Sequence, residues 1–276
     1  MASHELRFES PSFLKRLKGM LGVDFYRLFH TPMYYIFLAI AAVIPAMILG
    51  TMGMEDPQTG ATTAQLYTNV WHIIAAQTPL YVVNSIAEYA NMNMVFIFGG
   101  IMVSVFIGHD YKSGYVKQLF TTHAKKQDYM MSKALVGAFS MACMCVTYLL
   151  GAVAAGLLTG ISFEVNAGAL VCAILGKMLM SLGWASLYTF LNIIFRRYFG
   201  ISIASSFFFG TGILIIGAAA IVGNSSLLNI FLYGSSVFAC LSSNLLTVLV
   251  CLVVSAVWAV VYTVAGTCVL NKCDVY

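Results

Sequence analysis

Apolar residues run through this chain in long blocks separated by short polar stretches. Residues 33–54, 134–158, 169–195, 201–222 and 245–270 each have the apolar length, about 20 residues, that a helix needs to cross the hydrocarbon core of a bilayer, and residues 89–108 form a shorter block that still suffices. The pattern predicts six transmembrane helices. Residues 66–87 are interrupted by Asn69, His72, Gln77, Pro79 and Asn84, and residues 227–241 are short and contain Gly234-Ser235-Ser236. Neither stretch reads as a free-standing span.

Ahead of the first block, residues 12–30 place Leu14, Leu17, Leu21, Phe25 and Leu28 at helical spacing, with Lys15, Arg16, Lys18 and Arg27 off that stripe. This predicts an amphipathic helix at the membrane interface whose cationic face suits anionic headgroups. The alternative is the same helix packed on the spans of its own chain. The polar and basic stretch before the first span is too long to open a cleavable signal, so that span is expected to be retained.

Composition narrows the class. Only 9% of the 276 residues are charged and 61% are hydrophobic, with a mean hydropathy of +0.89, where soluble domains carry about 25% charge. A water-soluble enzyme is excluded, and six spans leave no room for a separate soluble catalytic domain. The net charge of +4 does not indicate nucleic acid, because the positives flank membrane segments and form no basic face on a soluble surface.

Those positives also set the expected orientation. With six spans and both termini cytoplasmic, the inner segments hold Arg7, Lys15, Arg16, Lys18, Arg27, Lys112, Lys117, Lys125, Lys126, Lys133, Arg196, Arg197 and Lys272, every Lys and Arg except Lys177. The outer segments hold Glu55, Asp56, Glu88 and Glu164 and no cation, a strong positive-inside pattern. A seventh span at residues 66–87 would put the lysines between Lys112 and Lys133 outside and is rejected. Residues 55–88 then form an extracellular apolar loop that needs a surface to cover it. Residues 223–244 form an outer re-entrant element before the last span, and non-helical backbone at that depth must be buried in protein or line a wet cavity.

Catalytic motifs are missing. There is no phosphate-binding loop of the Gly-x-x-x-x-Gly-Lys-Ser/Thr kind, no acid pair and no nucleophile triad, so the chain is expected to be no enzyme and to hold no cofactor. Cys143, Cys145, Cys172, Cys251 and Cys268 lie in apolar runs and behave as small hydrophobes, so neither a disulfide framework nor a metal site is expected. Asn224-Ser225-Ser226 is a weak glycosylation sequon. Small residues four apart, Gly151 with Ala155 and Gly156 with Gly160, permit close helix packing.

The inner segment 109–133 is the most informative. It reads His109-Asp110-Tyr111-Lys112-Ser113-Gly114-Tyr115-Val116-Lys117-Gln118-Leu119-Phe120, then Lys125-Lys126-Gln127-Asp128-Tyr129, and ends at Lys133. This resembles the signature of ATP-binding-cassette type-2 permeases. In that signature an acidic residue leaving the second span is followed by Ser-Gly or Gly-Thr, a basic residue and a short helix. A basic residue, an aromatic and a Lys then lead into the third span. Asp110, Gly114, Lys117, Lys126, Tyr129 and Lys133 stand in those places, while Tyr115 stands where Thr is common and no Pro or Gly lies near His123. The six-span plan, the amphipathic N-terminal helix and the outer element before the last span match as well.

The resemblance implies an all-α integral membrane fold, a single permease domain over residues 1–276, a second copy of the chain as partner, and separate ATPase subunits that bind ATP and Mg. It also implies a coupling helix in 109–133, seated in a cleft of the ATPase. Val116, Leu119 and Phe120 would form an apolar wedge there, and Asp110, Lys112 and Lys117 would supply charge pairing. Tyr111, Ser113, Gly114 and Tyr115 belong to the same segment. Within the family the chain is similar to Gram-positive peptide permeases of the bacitracin, lantibiotic and phenol-soluble-modulin groups, exporters in the cell membrane, and its large apolar outer loop suits an amphipathic peptide.

Lys177 stands apart, well inside the fourth span, where a charge costs about 2.5–3.5 kcal/mol at the bilayer centre. It is expected to snorkel to the outer interface, toward Glu164 or Glu88. The competing reading puts it on the substrate path, contacting a carboxylate or backbone of the cargo. Two other functions use the same features: a sensor or immunity protein that sequesters peptide at the outer face, and a channel or carrier that needs no ATP. Carriers usually show mid-membrane ionisable residues in matching halves, and apart from Lys177 the sequence has none.

Overall fold

The computed structural model describes residues 12–50, 69–74, 92–121, 124–212, 230–241 and 244–272. Among them every element longer than an isolated parallel bridge between Asn69 and Ser162 is a helix. The helices are α1 (Phe13–Phe29), α2 (Pro32–Gly50), α3 (Trp71–Ile74), α4 (Met94–Lys112), α5 (Tyr115–Thr121), α6 (Lys126–Thr159), α7 (Ala167–Ile194), α8 (Phe199–Gly210), α9 (Leu232–Leu241) and α10 (Leu245–Lys272).

Four of these, α4, α6, α7 and α10, are long and apolar enough to cross a membrane, and the bent pair α1–α2 adds a fifth when taken as one span. The protein is therefore a multi-pass α-helical membrane protein. Of the six expected spans, α7 and α10 match 169–195 and 245–270 closely. Helix α6 starts at Lys126, a full two turns before the block at 134–158, because residues 126–133 continue its helical register. Helix α8 is a short apolar helix; the rest of the block at 201–222 lies outside the described residues beyond Gly212, which has φ 68°. Most of the outer loop 55–88 also lies outside them, as does the start of the re-entrant element 223–244, whose described part is α9.

Helices α6 and α7 form the centre. α7 packs against α4, α6, α9 and α10, while α6 also carries α1 and α2. Close approach is possible because glycines stand at the crossings: a Cβ on Gly151 of α6 would meet the Ala42 carbonyl oxygen of α2 at 2.1 Å. Phe96, Trp184 and Tyr188 stack across α4 and α7 with ring centroids 5.5 and 5.6 Å apart. Leu150, Leu157 and Leu158 of α6 and Val253 and Val260 of α10 stay exposed, as lipid-facing positions should.

Helix ends are set locally. Asn166 caps α7 by accepting from the Gly168 N–H at 2.9 Å, and Gly160 ends α6 in the left-handed region. At the same end of the molecule residues 69–71 are pinned to the turn after α6. The Asn69 side chain accepts from the Glu164 N–H at 3.1 Å and the Trp71 N–H at 3.0 Å and donates to the Glu164 carbonyl at 2.5 Å. Val70 and Ile74 are fully buried beneath it.

Candidate functional site

At the basic end of the helices, two carboxylates and an ammonium are buried together, with a half-buried guanidinium beside them. The inward face of α1 carries Leu17, Asp24 and Leu28, so an acid sits within an apolar stripe. A charge taken out of water costs several kcal/mol unless well partnered, and the partner comes from the second turn of α6. The Lys133 ammonium lies 2.6 Å from Asp24 Oδ1 and 2.7 Å from Asp110 Oδ2, the latter near the end of α4. Asp24, Asp110 and Lys133 are each no more than 1% exposed.

The remaining valences are filled by neighbours. Arg27, one turn along α1 from Asp24, donates through Nη2 to Asp110 Oδ1 and lies 3.8 Å from Asp24. The Ser132 hydroxyl donates to Asp24 at 2.6 Å, and Tyr129 Oη donates to Asp110 at 3.3 Å. Two negative charges meet two positive ones, which makes the cluster neutral and its burial tolerable. Aromatic faces close it: Lys133 Nζ is 4.4 Å from the Phe106 ring centroid, and the Arg27 guanidinium is 4.3 Å from that of Tyr115.

Tyr115 opens α5, so the short helix is tied to the cluster by its first side chain. Burial, together with the charges of Asp24 and Asp110, pushes the Tyr115 phenol up from its ordinary value. The turn into α5 is made by Gly114, whose φ of 72° favours glycine. Two outlying contacts brace the same end: Arg16 Nε pairs with Asp128 at 2.8 Å, and Lys126 donates to the Leu270 carbonyl at the end of α10 at 2.6 Å.

This geometry corrects three sequence expectations. Asp110 cannot pair with an outside partner, because it is buried and saturated by Arg27, Lys133 and Tyr129. The wedge of Val116, Leu119 and Phe120 points inward: Val116 is buried with Tyr129, Met130, Ile193 and Leu270, and Leu119 and Phe120 pack against that cluster. Helix α5 needs this apolar face to hold it on the bundle. Its exposed residues are Lys117, Gln118 and Thr121, with Lys112 and Ser113 exposed just before it; Lys112 lies over the Phe199 ring at 4.5 Å. Tyr111 is half-buried between the main core and this smaller cluster.

Lys177 is the third correction. It does not snorkel toward Glu164, but is fully buried between α4 and α7, donating to Asn93 Oδ1 and lying 5.5 Å from the Phe96 ring. Glu88 lies outside the described residues. Among the described residues no carboxylate pairs with Lys177, so an amide oxygen and an aromatic face solvate the ammonium.

Sequence reading did not single out Asp24 or Arg27 as site residues. The signal was present, since Asp24 is an acid on the apolar stripe, four residues before Leu28, with Arg27 three residues on. A second buried polar group was also missed. Ser104 of α4, Asn192 of α7 and Ser202 and Ser206 of α8 are linked: Asn192 donates to Ser104 at 3.0 Å, the Ser104 and Ser206 hydroxyls are 2.8 Å apart, and Ser202 donates to the Asn192 carbonyl. It fastens α8 to the bundle, and nothing in single-residue polarity distinguishes it from ordinary polar punctuation.

A family model for ABC-2 family transporter protein matches residues 21–217, more than half of the chain, and takes in Asp24, Arg27, Asp110, Lys133 and Lys177. The chain belongs to the ABC-2 family. No individual curated protein matches it. Family membership makes this ABC-2 protein a transmembrane permease subunit of an ATP-binding-cassette transporter and implies an ABC ATPase as partner.

Proposed function

We propose that the chain is the transmembrane subunit of an exporter for amphipathic or antimicrobial-type peptides, working as a pair of identical chains in the cell membrane with both termini in the cytoplasm. ATP and Mg are bound by the partner subunit, which docks at the basic end. The observation that carries this reading is the neutral ion cluster, because it joins α1, α4 and α6 directly and α5 through Tyr115. A push on the exposed face of α5, at Lys117 and Gln118, is then delivered to three helices at once. Packed elements with discrete arrangements transmit such displacements.

In the same reading Lys177 serves the cargo. Separation of α4 from α7 would strip Asn93 from its ammonium and leave a cation seeking a carboxylate, which the free end of a peptide supplies. The apolar sequence of residues 55–88 favours an amphipathic cargo, and within it Val70 and Ile74 are buried against the bundle.

Inverted vesicles carrying the chain and its ATPase test the proposal. Peptide accumulating inside only with hydrolysable ATP supports it. Uptake without ATP identifies a carrier or channel, and peptide bound at the outer face without accumulation identifies a sensor or immunity protein.

A further inference from the structure

A cavity lies at the elbow where α1 turns through 67° into α2, beside the ion cluster. It has a volume of about 410 Å³, within the range of about 300–1,000 Å³ usual for ligand sites. Met33, Met102, Val105 and Phe106 make its walls apolar, while Arg27, His30 and His109 add a guanidinium and two imidazoles. The elbow joins an amphipathic helix to a membrane span, so its depth is that of the lipid headgroups.

Arg27 lines the cavity with a part-exposed side chain, its Nη2 on Asp110 and its Nη1 buried 3.8 Å from Asp24. His30 donates from Nδ1 to the Tyr26 carbonyl at 2.7 Å and stacks on the Tyr26 ring at 4.0 Å, which fixes its imidazole at the rim. An apolar slot with a guanidinium and two imidazoles matches a phosphate diester carrying acyl chains, and basic pockets between spans on the positive side of a membrane are suited to anionic headgroups.

We propose that the elbow cavity binds one anionic phospholipid from the leaflet at the basic end, its phosphate on Arg27 and the two histidines and the start of an acyl chain against Met102, Val105 and Phe106. Because Arg27 also holds Asp110, an occupied site stiffens the ion cluster, so the composition of that leaflet tunes how firmly α1 is clamped. The inference holds whether or not the cargo is a peptide.

The test uses the full chain in detergent micelles doped with phosphatidylglycerol or phosphatidylcholine, and separately with inorganic phosphate. Native mass spectrometry counts retained lipid and thermal unfolding reports stabilisation. The expected result is one phosphatidylglycerol retained under activation that strips phosphatidylcholine, with a rise in midpoint that phosphate alone does not give. His30→Ala with His109→Ala, both exposed, weakens retention roughly fivefold, the value of about one basic group at an anionic surface. Val105→Trp, which fills the slot, abolishes retention. Equal retention of both lipids, equal stabilisation by phosphate alone, or full retention in the histidine variant would each overturn the proposal.

Discussion

Replacing Lys133 by Met changes the charge of the buried cluster from zero to minus one. Asp24 and Asp110 then share Arg27 alone, and neither can reach water, since both are fully buried. Breaking a buried pair by removing one partner costs about 3–5 kcal/mol. Asp24→Asn errs in the opposite direction, leaving Lys133 and Arg27 with one carboxylate, and should cost a comparable amount. The double variant restores neutrality, because Arg27 and Asp110 remain paired. Its cost should fall below the sum of the two singles by roughly 0.5–3 kcal/mol, the usual coupling between residues in one network. Denaturant unfolding in micelles, followed by the fluorescence of the three tryptophans, of which Trp184 lies in the core, measures all four corners of the cycle. Single variants costing under about 1 kcal/mol, or a double variant equal to the sum, would refute the claim that these residues act as one electrostatic unit.

Other expectations follow from single contacts. Gly151→Ala drives a Cβ against the Ala42 carbonyl oxygen and should destabilise by about 1–3 kcal/mol, whereas Gly19→Ala, with nothing nearby, should be neutral or stabilising in the same unfolding assay. Gly114→Val should cost about 1–2 kcal/mol through its backbone conformation, while Gly114→Asn should cost less, and both should lower the ATPase rate of the assembled transporter in that order. Asn69→Ala removes the clamp on the outer segment, so amide exchange across residues 69–74 should accelerate with no change near Asp110. The raised Tyr115 pKa contributes stability that is complete below the ordinary phenol value of 10 and lost as pH rises through the folded value; midpoints of the wild type should fall above pH 10 more steeply than those of Tyr115→Phe.

The long apolar blocks made the membrane class and helices α7 and α10 legible, since lipid leaves a chain few ways to bury its backbone. Burial within the bundle was harder to read. Val116, Leu119 and Phe120 look like a wedge for a partner when only the loop is considered, but the same spacing equally describes a helix lying on its own protein. Lys177 misled for a related reason: snorkelling assumes that the nearest polar group is solvent, and the local sequence of α7 gives no hint that Asn93, far away in the chain, offers an amide closer by. Lys133 was counted among basic flanks because it precedes an apolar block; its pairing with Asp24 joins residues more than a hundred positions apart, and only the fold brings them together.

The central claim is that an ATPase subunit meets this permease through α5 at the basic end. Placing a photo-crosslinking residue at Lys117, and as a control at Leu158 on the opposite end, in cells that express the whole transporter tests it directly. The account predicts that the Lys117 probe captures a chain bearing a nucleotide-binding motif and the Leu158 probe does not. Capture from Leu158 and none from Lys117 would contradict it.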